Sequence, residues 1–159
     1  MKNLFLCFLL SLAGTNLYAQ SRCYILGDSI AQGVASYSNQ CASATKVGLN
    51  TNDARKYFAT KGPLYFDNLV ISLGINDKGQ PQKTMENLVA IRMNVKAKKV
   101  IWVLPNSYHA QEGQIVKRIA TYYGDSFVDV TPVIGSDRIH PTPEGYKIIA
   151  NTLSTQYRY

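Results

Sequence analysis

The sequence predicts a three-layer α/β sandwich around a five-stranded parallel sheet, and three observations predict it. Apolar runs of strand length recur along the chain, and helix-like stretches separate them, giving the order β-α repeated five times. The stronger runs are continuous in Val, Ile and Leu rather than alternating, which suits strands covered on both faces. A chain of 159 residues, 46% hydrophobic and 17% charged, is the right size and composition for one domain with a real core.

The first run, residues 23–26, ends at Gly27, Asp28 and Ser29, and small or apolar residues resume at Ile30 as a helix begins. The second, residues 44–47, is weak, and the "TNDARKYFAT" that follows opens on capping residues. "NLVISLG" (residues 68–74) and "KVIWVLP" (residues 99–105) are strong strands. Trp102, in the middle of the latter, reads as core. Between them, after Pro81, the positions Met85, Leu88, Val89 and Arg92 make an apolar stripe with a charged margin. Residues 111–123 carry Ile115, Ile119 and Tyr122 at helical spacing, and "SFVDV" (residues 126–130) is short but β-branched. The last helix opens at "PTPEGY": Thr142 is its cap, Pro143 its first residue, and Glu144 sits in its first turn. Tyr146, Ile149, Ala150 and Leu153 form its buried face. There is no internal repeat, linker or low-complexity segment.

The N-terminus reads differently. Lys2 precedes an apolar stretch over residues 4–14, and a small residue follows at Ala19. This is the pattern of a secretory signal peptide, residues 1–19, cut after Ala19 to leave a single domain over residues 20–159. The apolar stretch is too short to favour a membrane span, so no stable membrane insertion is expected after cleavage. Cys7 leaves with the signal. Two cysteines remain, Cys23 and Cys41, and an even count in an exported chain predicts a disulfide. Such a bridge closes a loop around Ser29 and is worth about 3 kcal/mol. The expected location is periplasmic or extracellular.

The formal net charge is +7, from 17 Lys and Arg against 10 Asp and Glu. That balance favours anionic partners, acidic polysaccharide among them. The basic residues are scattered, so no nucleic-acid partner is expected. The densest cluster, Lys96, Lys98 and Lys99, reads as a solvated helix end before an apolar run.

In open parallel sheets, ligands bind beyond the carboxyl ends of the strands. Ser29 follows the first strand, Asn76 and Asp77 the third, Asn106, Tyr108 and His109 the fourth, Asp137 and His140 the fifth. Chemically useful residues scattered in sequence thus fall on one sheet edge. Gly27–Asp28–Ser29 is by itself an ordinary turn, or else a nucleophile held at a strand-to-helix junction. A serine nucleophile needs a base, and there are only two histidines. His140 has Asp137 three residues earlier, a spacing that can bring the carboxylate to Nδ1 while Nε2 faces Ser29. A lone Asp-x-x-His is otherwise a salt bridge or a cap. Oxyanion donors are available in the Ser29 N–H, the Asn76 amide and the Gly48 N–H.

In this order the blocks resemble those of the GDSL-type esterases, also called SGNH hydrolases. "GDS" at residues 27–29 resembles the nucleophile block, with Ile30 where Leu is commoner. Gly48 resembles the lone-glycine block, "GIND" at residues 74–77 the G-x-N-D block, and "DRIH" at residues 137–140 the D-x-x-H block. The resemblance spans the mature chain. It implies a flavodoxin-like α/β/α sandwich and a catalytic triad of Ser29 (nucleophile), His140 (base) and Asp137 (orienting carboxylate). It also implies an oxyanion hole of the Ser29 and Gly48 N–H groups and the Asn76 side chain. Asp28 and Asp77 are expected to hold the site loops by bonding neighbouring turn backbone, and Tyr108 and His109 to lie either in a substrate cleft or on plain surface.

The function expected from this is an exported serine esterase that works without metal or organic cofactor. Its expected substrates are acetyl esters on sugars or cell-surface polysaccharide. Lipid, lysophospholipid, aryl and thioester substrates also occur in the family. From another class, the same turn can serve a non-catalytic protein as an anion- or glycan-binding nest.

Overall fold

The structure is a computed structural model that describes residues 23–61 and 64–156. The expected signal peptide, its cleavage site and Cys7 lie outside the described residues. The elements run β1 (Cys23–Gly27), α1 (Ser29–Ser36), β2 (Ala42–Thr45), α2 (Thr51–Ala59), β3 (Leu64–Ser72), α3 (Pro81–Asn94), β4 (Val95–Leu104), α4 (Ala110–Tyr123), β5 (Ser126–Asp129) and α5 (Pro143–Gln156). All strand pairs are parallel, in the order β2-β1-β3-β4-β5. That is the flavodoxin-like order.

The continuous apolar runs are explained by two cores. On one face Leu26, Leu69, Ile71, Trp102 and Leu104 meet Phe58 of α2, Leu88 and Ile91 of α3, and Val116 and Ile119 of α4. On the other, Ile25, Val70, Ile101 and Val103 meet Ile30 and Val34 of α1 and Ile149 and Leu153 of α5. Successive strand residues point to opposite faces, so both parities must be apolar where helices cover both sides. Trp102 is fully buried, and its indole N–H donates to Asp125 Oδ2 at 2.9 Å.

Several local expectations are corrected. β2 covers Ala42–Thr45, so it starts and ends two residues earlier than residues 44–47; Val47 is 67% exposed beyond it. As an edge strand β2 pairs with β1 alone, and its sequence has little need of apolar residues. β3 and β4 begin at Leu64 and Val95, several residues before their apolar runs. Lys96, Lys98 and Lys99 therefore lie on a strand, not at a helix end. This part of the β3–β4 pair extends past the register of β1 and β5, and burial alternates along it, with Lys96 and Lys98 exposed. A search for continuous apolar runs misses such a half-covered stretch. On α3 the buried positions are Thr84, Asn87, Leu88 and Ile91, while Met85 and Val89 flank them half-buried. On α4, Val116 and Ala120 join Ile115 and Ile119 at the sheet, and Tyr122 is 81% exposed. The face runs through residues 115, 116, 119 and 120, and Tyr122 is rotated off it.

Two features hold α1 in place. Cys23 and Cys41 form the expected disulfide, with Cα atoms 4.6 Å apart, so the chain from β1 through α1 to β2 is a closed loop. Gly33 lets α5 pack against α1: a Cβ there falls 2.3 Å from the Tyr146 ring. That close approach carries the start of α5, and the loop before it, towards Ser29. Among the described residues no helix is long and apolar enough to cross a membrane.

Candidate active site

Ser29 is the first residue of α1, directly beyond the end of β1. The turn that exposes it depends on Gly27, which has φ 143° and lies so near β3 that a Cβ falls 1.9 Å from the Ser72 carbonyl oxygen. Only glycine fits both demands. Asp28 then caps the helix: its Oδ1 accepts from the N–H groups of Ile30 at 3.0 Å and Ala31 at 3.4 Å. The same oxygen accepts from Ser72 Oγ at 3.0 Å, which ties the turn to β3. Asp28 is fully buried and its Oδ2 has no hydrogen-bond partner among the described residues. Burial pushes its carboxyl up to about 6, against the opposing pull of the Ser72 hydroxyl and the two amides.

His140 and Asp137 come from the loop between β5 and α5. This loop is folded back on itself: Ile134 and Pro141 form an antiparallel bridge, Gly135 N–H donates to the His140 carbonyl at 2.7 Å, and Thr142 N–H donates to the Val133 carbonyl at 2.9 Å. Asn106, fully buried at the end of β4, holds it from below by donating to the carbonyls of Arg138 at 3.2 Å and Ile139 at 3.3 Å. Thr142 Oγ1 accepts from Gly145 N–H at 3.0 Å and so caps α5.

These constraints bring three sequence-predicted residues into one chain. Ser29 Oγ lies 2.9 Å from His140 Nε2, and His140 Nδ1 lies 2.7 Å from Asp137 Oδ2. The other carboxylate oxygen, Oδ1, accepts from the N–H groups of Ile139 and His140, both at 2.9 Å. The Ile139 amide, the His140 ring and the His140 amide together hold the Asp137 carboxyl down at about 2. The carboxylate is thus ionised at any ordinary pH, and it fixes a proton on Nδ1, which leaves Nε2 to accept from the serine.

The other side of the site is built by α2, α3 and the ends of β2 and β3. Gly48 sits in the exposed loop after β2 at φ 72°, with open space where a Cβ points. Asn76 is also exposed, and its Nδ2 donates to the Leu49 carbonyl at 3.1 Å. This bond joins the two loops that carry Gly48 and Asn76, and it uses one of the two amide hydrogens. Asp77 does not bond the turn around it through its side chain, as the sequence suggests. Both its oxygens go to Thr51, Oδ1 accepting from the backbone N–H at 2.8 Å and Oδ2 from the hydroxyl. Thr51 Oγ1 in turn accepts from Asn87 Nδ2 at 3.1 Å, and Asn87 Oδ1 accepts from Arg55 Nη1 at 3.1 Å. The first turn of α2 is thereby clamped to the loop before α3 and to α3 itself.

No family model matches the chain, and no curated protein matches it in sequence. Solved structures do match. A GDSL-like lipase from Bacteroides thetaiotaomicron superposes with a TM-score of 0.65 at 19% identity, over 86% of each chain. The chain has the GDSL-hydrolase fold. A carbohydrate acetylesterase from Sinorhizobium meliloti matches with a TM-score of 0.60 at 15% identity, over 85% of this chain and 99% of that one. The C-terminal catalytic domain of a peptidoglycan O-acetyltransferase from Streptococcus pneumoniae matches with a TM-score of 0.60 at 18% identity, over 86% of this chain and 92% of that one.

Within this GDSL-hydrolase fold the remaining sequence-predicted residues lie at the margin. Tyr108 is 60% exposed in the 3₁₀ turn after β4, with the Arg138 guanidinium 5.3 Å from its ring centre. Arg138 is the tip of the Asp137–His140 loop, at φ 60°. Tyr108 therefore borders that loop, and His109, half-buried beside it, is not in the chain from Ser29 to Asp137. Three residues escaped the sequence reading: Ser72, Thr51 and Asn87. Asn87 left a trace, a polar residue on the buried face of α3 beside Leu88 and Ile91, visible only once that face is known.

Proposed function

We propose that the chain is an exported serine esterase of the GDSL type that removes acyl groups, acetyl foremost, from sugars or cell-surface polysaccharide. The observation that carries this reading is the hydrogen-bonded chain from Ser29 through His140 to Asp137. Ser29 Oγ attacks the acyl carbon while His140 Nε2 takes the hydroxyl proton. The carbonyl oxygen becomes an oxyanion that accepts from the Ser29 and Gly48 N–H groups and from the amide hydrogen of Asn76 not given to Leu49. The bond to the alcohol oxygen breaks as His140 returns the proton to it. Water, deprotonated by His140, then attacks the acyl-serine, and His140 passes that proton to Ser29 Oγ as the carboxylic acid leaves. Asp137 stays ionised throughout and stabilises the imidazolium.

The Ser29 N–H is suited to its part, because the first N–H of a helix has no carbonyl of its own helix to meet. Sugar esters are favoured by two of the structural neighbours, the carbohydrate acetylesterase and the peptidoglycan O-acetyltransferase. The disulfide fits an oxidising compartment, as the apolar N-terminal run does an export signal.

A serine-directed phosphonate tests the reading. It is expected to label Ser29 in the wild type and to leave Ser29→Ala unlabelled. A panel of chromogenic esters is expected to be turned over fastest at acetyl and more slowly as the acyl chain lengthens. Hydrolysis without a label at Ser29 would return the Gly27–Ser29 turn to a binding role.

A further inference from the structure

Between the first turns of α2 and α3 lies a cavity of about 190 Å³ whose lining side chains are all polar. Its floor is already satisfied. Thr51, Asp77 and Asn87 bond one another, and the Thr84 hydroxyl donates to the Gln80 carbonyl at 2.9 Å. Its rim is not. The side chains of Asn52, Gln80 and Lys83 line it without a hydrogen bond or ion pair to any described residue. A floor locked by its own bonds and a rim with unspent donors and acceptors is how a preformed polar site is built. Asn76 forms one wall, so whatever fills the cavity touches the residue assigned to the ester carbonyl.

The chemistry of the rim selects the occupant. Each primary amide offers both a donor and an acceptor, which matches neighbouring hydroxyl groups. Lys83 supplies a positive charge at the rim, while the one carboxylate in the lining, Asp77, has both oxygens bonded to Thr51 on the floor. Among the described residues no apolar side chain lines the cavity to receive an acyl tail. The apolar space is elsewhere: a separate cavity of about 320 Å³ between β2 and α2, with Leu26, Leu49, Ala54 and Phe58 in its walls. We propose that the polar cavity is a subsite for an anionic sugar residue of the glycan, next to the sugar that bears the ester. This rests on the esterase reading above, with Ser29 as nucleophile and Asn76 beside the carbonyl.

The test uses the full mature chain and three probes: an O-acetylated oligosaccharide of uronic acids, an O-acetylated neutral oligosaccharide of equal length, and p-nitrophenyl acetate. In the double variant Gln80→Ala/Lys83→Ala, the ratio of kcat/KM for the acidic oligosaccharide to that for the aryl acetate is expected to fall about tenfold, through KM. For the neutral oligosaccharide the fall is expected to be smaller. Lys83→Arg is expected to keep most of the preference for the acidic probe. An unchanged ratio in the double variant overturns the subsite. So does a wild type that hydrolyses the aryl acetate but ignores both oligosaccharides. In either case the esterase reading survives. Failure of the wild type to hydrolyse any of the three esters overturns the esterase reading itself.

Discussion

On the α1–α5 side of the site, the chain from Ser29 to Asp137 lies partly in water: the His140 side chain is 39% exposed and that of Asp137 51%. On the α2–α3 side, Thr51, Asp77 and Asn87 are 1%, 8% and 2% exposed. The two sides therefore use different physics to hold position. The exposed side is fixed mainly by backbone between residues close in sequence, through a cap, a folded-back loop and amides donated to a carboxylate; only Ser72 and Asn106 reach it with side-chain bonds from far along the chain. The buried side is fixed by side chains that meet across 26 and 36 residues of sequence. A broken bond on the wet side is replaced by water, whereas on the dry side the orphaned partner carries a desolvation cost of about 1–3 kcal/mol. Loss on the first side should thus appear in chemistry, and loss on the second in both geometry and stability.

The largest effect is expected at Ser29. Ser29→Ala should abolish nearly all turnover, on the order of 10⁴-fold or more, with a melting temperature close to wild type. His140→Ala should behave alike and His109→Ala should not; equal losses in both histidine variants, measured as kcat, break the assignment of the base. Asn76→Ala is expected next, with kcat lower by about 10²–10³. Because Asn76 also joins the Gly48 and Asn76 loops, its amide to Leu49 makes some loss of melting temperature part of the expected outcome.

Thr51→Val sharpens the comparison directly. It removes the hydroxyl that bonds Asp77 and Asn87 while keeping the shape and the backbone N–H. The expected result is a loss of about 1–3 kcal/mol in denaturant unfolding together with a fall of roughly tenfold in kcat, and Thr51→Ser should restore both. A stability loss with kcat untouched shows that the clamp supports the fold and not the oxyanion side.

Asp28 gives a pH signature of comparable size. Its carboxyl titrates near 3.8 when exposed and about 6 when folded, so between those values the folded state holds the extra proton. Stability then falls as pH rises through this window, by up to ~3 kcal/mol, and levels off above it. Asp28→Asn cannot titrate, and its stability should lack this descent; parallel pH–stability curves for the two proteins refute the buried-acid account. Asp137 has the opposite sign. Its folded value of about 2 lies below the usual 3.8, so its contribution is complete above the unfolded value and is lost only as pH falls towards 2. The smallest catalytic effect is expected from reducing the Cys23–Cys41 bridge, which should lower stability by about 3 kcal/mol and leave the residual folded enzyme active.

Much of this was legible in the sequence because it is local or periodic. The apolar runs gave the strands, since a parallel strand buried on both faces needs both parities apolar. Ser29 at a strand-to-helix junction, the three-residue step from Asp137 to His140 and the Thr142-Pro143 helix start are each short-range patterns with a backbone cause. The even pair Cys23 and Cys41 named its own partner. Other features took shape only in the tertiary structure. Which face of α3 is buried depends on where β3 and β4 lie, so Asn87 was invisible as a site residue until Leu88 and Ile91 fixed the rotation. Lys96 and Lys98 belong to a strand only because β4 outruns its neighbours. Asp77 binds Thr51 rather than its own turn because α2 and α3 pack side by side, and no local pattern encodes a contact between two helices. What a residue does within a turn of itself is written in its neighbours; what it does across the molecule depends on packing that the whole chain must decide at once.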